Sequence, residues 1–123
     1  MKKRKNAILI ITASTMLITK LILFFVWNKE IMSPLLTDVW HHMYTGVLLM
    51  IFAKVWKNKF SFIFFSIGLG LFVDEFIHVF HLLHIINEVD YWSMPSYIAT
   101  TLSFITVYII FNKLPDSIYR KMV

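Results

Sequence analysis

Residues 66–84 read SIGLGLFVDEFIHVFHLLH. The stretch is apolar enough to lie in a lipid bilayer, yet it carries adjacent carboxylates, Asp74 and Glu75, and histidines at 78, 81 and 84. A charged side chain at the centre of a membrane helix costs about 3 kcal/mol on insertion scales, and such groups face a bundle interior or a wet cavity. The stretch therefore marks a site inside a helical membrane protein.

The rest of the chain is of the same kind. It is 59% hydrophobic and 15% charged, where a soluble domain has about 45–50% and about 25%. No Pro/Gly/Ser-rich linker or repeat divides the 123 residues, so residues 1–123 read as one transmembrane domain. The absence of cysteine excludes a disulfide framework, a thiolate metal site and a cysteine nucleophile. A net charge of +5 suggests nucleic acid only until the charges are placed.

Four apolar runs predict helices over about 7–27, 39–56, 60–86 and 96–111. The first follows a basic head, MKKRKN, and no small-x-small cleavage site closes it, so it reads as a retained helix rather than a signal peptide. Ten of the twelve Lys and Arg then fall on one side of the membrane. Four of the seven acids (Glu30, Asp38, Glu88 and Asp90) fall on the other. The positive-inside rule predicts an all-α, four-helix, up-down bundle of the cell membrane with both termini in the cytoplasm. No nucleic-acid partner is expected. Lys20 lies within the first run; it either snorkels to the outer interface or serves the carboxylates as counter-ion.

A short turn, Lys57-Asn58-Lys59, makes helices two and three antiparallel neighbours. With the turn centred on Asn58, residues at equal depth have numbers summing to about 116. Gly46 then falls opposite Gly70, His42 opposite Asp74, His41 opposite Glu75 and Asp38 opposite His78. Small residues let membrane helices approach closely, so a glycine contact is expected just inside the polar groups. Glu75 and His78 also form Glu-x-x-His, the i, i+3 arrangement of carboxylate-bridged metal sites in helix bundles. Imidazole with carboxylate suits zinc, iron or manganese. The expected ligands are His41, His42, Asp74 and Glu75, with Asp38 and His78 as extra ligands.

These residues resemble a group of small four-helix integral membrane proteins of bacteria and archaea. Their pattern is His-His-x-x-x-Gly-x-x-Leu, then Gly-x-Gly-x-x-x-x-Asp-Glu-Phe, then an acidic stretch ending Tyr-Trp. It is matched by His41, His42, Gly46 and Leu49, by Gly68, Gly70, Asp74, Glu75 and Phe76, and by Glu88, Tyr91 and Trp92. The resemblance covers about residues 38–95 and implies the residues of the site, with Glu88 behind them, rather than an activity. The group has an apolar residue in place of His78, and its segment before Tyr-Trp is about one turn shorter.

Three functions follow. A divalent metal would generate a hydroxide from bound water, with Glu75 as general base, for attack on a lipid or other interfacial ester. Alternatively, the titrating groups handle protons or a cation, in a transport or sensing element whose four helices need a second copy to form a pore. In the third reading the network fixes helix register in a structural or partner-binding subunit.

Overall fold

The structure, a computed structural model, describes residues 2–27, 41–87, 91–115 and 117–118. Every regular element among them is helical: α1 (Lys2–Trp27), α2 (His42–Trp56), α3 (Ser61–Asp74), α4 (Ile77–Leu82) and α5 (Met94–Lys113). The basic head is already helical, so α1 begins earlier than the apolar run that predicts it.

Short contacts fix the directions of these helices. At one end, Lys5 Nζ donates to the Leu114 carbonyl at 2.7 Å, and the Arg4 guanidinium lies 4.9 Å from the centre of the Phe62 ring. The α2–α3 turn is at this same end. Lys57 there takes a left-handed conformation (φ 42°), and the Asn58 amide donates to Ser61 Oγ at 2.7 Å. At the other end Phe24 meets Trp92 edge to face, 6.1 Å between ring centres. The long helices thus run alternately up and down.

The central element is α3, which packs on α2 along its length and on α1 across its opposite face. Two glycines permit this. A Cβ at Gly46 would stand 2.5 Å from the Gly68 carbonyl oxygen and 2.9 Å from the Phe72 amide nitrogen. One at Gly70 would stand 2.7 Å from Thr15 Cβ and 2.8 Å from the Thr12 carbonyl of α1. The expected pairing of Gly46 with Gly70 is therefore corrected. Gly46 sits between Gly68 and Phe72, which is the depth of residue 70. But residues 68 and 70 are about 200° apart around a helix, so Gly68 faces α2 while Gly70 faces α1. Thr12 reinforces the α1 contact by donating to the Ser66 carbonyl at 3.2 Å, both residues fully buried. Ile8, Leu9, Ala53, Phe65, Leu69, Val73 and Phe111 form the apolar core below the polar end.

The expected third helix, unbroken from 60 to 86, is also corrected. It breaks at Glu75–Phe76 and ends at Leu82. Past Asp74 the backbone bonds shorten to i→i+3, with the His78 amide on the Glu75 carbonyl and the Val79 amide on the Phe76 carbonyl, each at 3.0 Å. The Asp74 carbonyl instead receives the Thr100 hydroxyl of α5 at 2.9 Å. A side chain that satisfies a freed carbonyl is a recognised cause of a helix break.

Two helical stretches, Lys3–Phe25 and Met94–Lys113, are long and apolar enough to cross a membrane. Helices α2 and α3, with 15 and 14 residues, are apolar but shorter. They measure about 22 and 21 Å at about 1.5 Å per residue.

Gly46→Ala and Gly68→Ala each force a methyl group into partner backbone. We expect each to destabilise the bundle by about 1–3 kcal/mol, seen as a lower melting temperature by circular dichroism in detergent. Unchanged melting would show that α2 and α3 do not meet here.

Candidate functional site

At the end away from the α2–α3 turn, α2 begins where α3 stops. The start of a helix leaves backbone N–H groups unsatisfied and carries partial positive charge. His41, the residue before α2, supplies no side-chain cap. Glu75 reaches across from α3 and takes the Met43 amide on Oε2 at 3.1 Å. The acid placed by one helix thus caps the next.

Around that cap the structure brings together the four residues expected from sequence. His41 Nδ1 lies 2.6 Å from Glu75 Oε1. His42 Nε2 lies 3.1 Å from Asp74 Oδ2, and His42 Nδ1 lies 3.4 Å from Glu75 Oε2. These pairs, 42 with 74 and 41 with 75, are those given by a hairpin register summing to 116. Asp74 is fully buried and Glu75 is 8% exposed. The His78 ring stacks on that of His41, 3.5 Å between centres. His81 follows at 5.3 Å from His78. His84 is exposed at the chain's bend with φ 55°. Asp38, Glu88 and Asp90 lie outside the described residues.

Asp74 is held from two further helices. Lys20 of α1 places its ammonium 3.1 Å from Oδ1. The Tyr91 hydroxyl, just before α5, donates to Oδ2. Burial first, and then the Asp74 carboxylate it bonds, hold the Tyr91 phenol protonated well above its ordinary range. Lys20 is thereby a counter-ion and not a snorkelling surface lysine. Sequence reasoning missed Thr100 and named Tyr91 only within the resemblance pattern, with no contact to Asp74. Ser96 and Thr100, small polar residues at i, i+4 in an apolar span, were the available signal for the buried face of α5.

His42 turns its two ring nitrogens towards two different carboxylates, so the four side chains do not converge on one centre. Each carboxylate oxygen already faces a partner: His42 and Tyr91, Lys20, His41, or the Met43 amide with His42. Among the described residues no three His, Asp or Glu side chains are grouped so as to hold a metal. In this arrangement Glu75 is hydrogen-bonded to the Met43 amide and lies against His41 and His42.

No protein-family model, curated protein or solved structure matches the chain.

Tyr91→Phe removes a donor from Asp74 and Thr100→Val removes one from its carbonyl. Each is expected to destabilise by about 1 kcal/mol in thermal melts. Because the folded phenol titrates above the unfolded value of 10.0, its contribution is complete below that pH and is lost as pH rises beyond it. The difference in stability between wild type and Tyr91→Phe should therefore shrink at strongly alkaline pH. A difference that stays constant there would exclude the Tyr91–Asp74 bond.

Proposed function

We propose that this chain is a multi-pass protein of the cell membrane whose Asp74–His42–Glu75 site takes up and releases a proton, as a cation-handling sensing or transport element. The observation that carries this reading is the His42 ring held between two buried carboxylates, at 3.1 and 3.4 Å. A neutral imidazole donates at one nitrogen only, whereas the imidazolium donates at both. Full pairing of His42 therefore requires an added proton.

Charge counting leads the same way. Asp74 and Glu75 contribute two negative charges and Lys20 one positive. The remainder is one negative charge in a place where net charge is expensive. One proton, shared by His41 and His42, neutralises it. His78 and His81 extend the row of imidazoles away from Glu75. On the opposite side lie the Gly46–Gly68 contact and the apolar core, so protons reach the site from the near face. This favours a protonation switch read from outside.

The membrane setting is supported by α1 and α5 and by the apolar exterior. Ile10, Leu17, Phe25, Leu48, Val55 and Leu102 are each more than half exposed, a surface suited to lipid rather than water. In the proposed topology four crossings leave both termini and the 57–60 turn cytoplasmic. The resemblance to small four-helix membrane proteins includes His41, His42, Asp74, Glu75 and Tyr91 and supports the same setting. Helices α2 and α3 fall about 8 Å short of a bilayer core of about 30 Å. The site then lies below the outer surface.

The chain has no cysteine, which makes topology directly testable. Asn58→Cys should react with an impermeant maleimide only after the inner face is opened, and Asn87→Cys should react in intact cells; the reverse pattern would invert the bundle. Function is tested by proton uptake. Infrared difference spectra of reconstituted protein between about pH 5 and 8, where histidine changes charge, should show imidazolium bands that Glu75→Gln and His42→Gln remove. Spectra unchanged in both variants, with only thermal stability lost, would leave a structural network instead. A stoichiometric metal that Asp74→Asn loses would overturn the proton reading outright.

A further inference from the structure

The surroundings of Lys20 are richer than neutralising one carboxylate requires. Its ammonium nitrogen lies 4.1 Å from the centre of the Tyr91 ring, 4.9 Å from that of Tyr97 and 5.9 Å from that of Trp92. All three are within the range of about 6 Å over which a ring face attracts a cation. The fourth wall is Asp74, at 3.1 Å. This contact is an ion pair with a fully buried carboxylate. A site made of aromatic faces and one buried carboxylate selects for an organic ammonium ion. A metal ion wants several oxygen ligands, and a hydrated alkali ion gains little from ring faces.

We propose that Asp74, Tyr91, Trp92 and Tyr97 form a binding site for a small alkylammonium ion, and that Lys20 is its tethered occupant. The inference rests on the cation-handling reading above and names the class of cation. Tyr97 is 38% exposed and forms the rim. The lysine reaches the cage from α1, and the Tyr91–Trp92 and Tyr97 walls come from the start of α5. A free amine therefore enters by displacing Lys20, whose tether gives it an effective concentration in the millimolar range. Displacement frees the Lys20 charge from Asp74, which is the same carboxylate that His42 contacts. Amine binding and protonation are thus linked through one residue.

The test is calorimetric titration of the purified, detergent-solubilised full chain with propylammonium chloride. Lys20→Ala empties the cage and should bind propylammonium at least tenfold more tightly than wild type. Asp74→Asn in that background should abolish binding, and sodium chloride at equal concentration should produce no saturable heat. Lys20→Met, which keeps the apolar bulk of the stem, should behave as Lys20→Ala does. If both variants fail to fold, wild type decides: saturable propylammonium binding that Tyr97→Leu removes supports the cage, and its absence overturns it. No saturable binding by a folded Lys20 variant, or equal affinity in variant and wild type, also overturns it. Amine binding without the infrared proton signal would overturn the protonation reading and leave the cage standing. The proton signal without amine binding does the reverse.

Discussion

Two consecutive carboxylates buried among apolar helices set the terms for everything around them. An isolated ionised carboxylate in such a place is prohibitively costly unless paired and hydrogen-bonded. Adjacent residues on a helix point about 100° apart, so Asp74 and Glu75 draw on largely different partners, with the His42 ring between them. Glu75 turns to the start of α2, where a free amide, a helix terminus and two imidazoles meet it. Asp74 turns to α1 and α5, where Lys20 and Tyr91 meet it. The four long helices converge at this end because the two acids require contacts from all of them.

The backbone follows from the same constraint. The ladder of α3 is interrupted at the acids, and the freed Asp74 carbonyl finds Thr100. The glycines set how near the partners come. Gly68 admits α2 on one side and Gly70 admits α1 on the other, bringing Lys20 and His42 to opposite oxygens of one carboxylate. Bulk at Gly68 would move His42 away from Asp74, and bulk at Gly70 would move Lys20 away.

What could be read from the sequence divides along these lines. The depth register was legible because a short turn and a constant rise fix it: His42 meets Asp74 and His41 meets Glu75. The direction each glycine faces was not, since Gly68 and Gly70 are equally small and only the positions of α1 and α2 distinguish them. The break in α3 left no trace, because apolar periodicity continues through Phe76 and Ile77, and its cause lies 26 residues away at Thr100. The orientation of the His42 ring, which bridges the two acids, was not legible, because orientation is a tertiary property. The aliphatic exterior was legible directly from composition, and two of the four expected crossings correspond to helices long and apolar enough to cross a membrane.

The division of labour between the acids argues for a switch over a fastener. A fastener for α2 and α3 needs only the Glu75 half: its cap on the Met43 amide and its contact with His41 tie the two helix ends together. The Asp74 half adds a lysine from α1 and a tyrosine before α5. His42 alone touches both halves. On the proton reading proposed above, a charge placed on His42 would be felt by both acids at once, and through them by Lys20 of α1 and Tyr91 before α5.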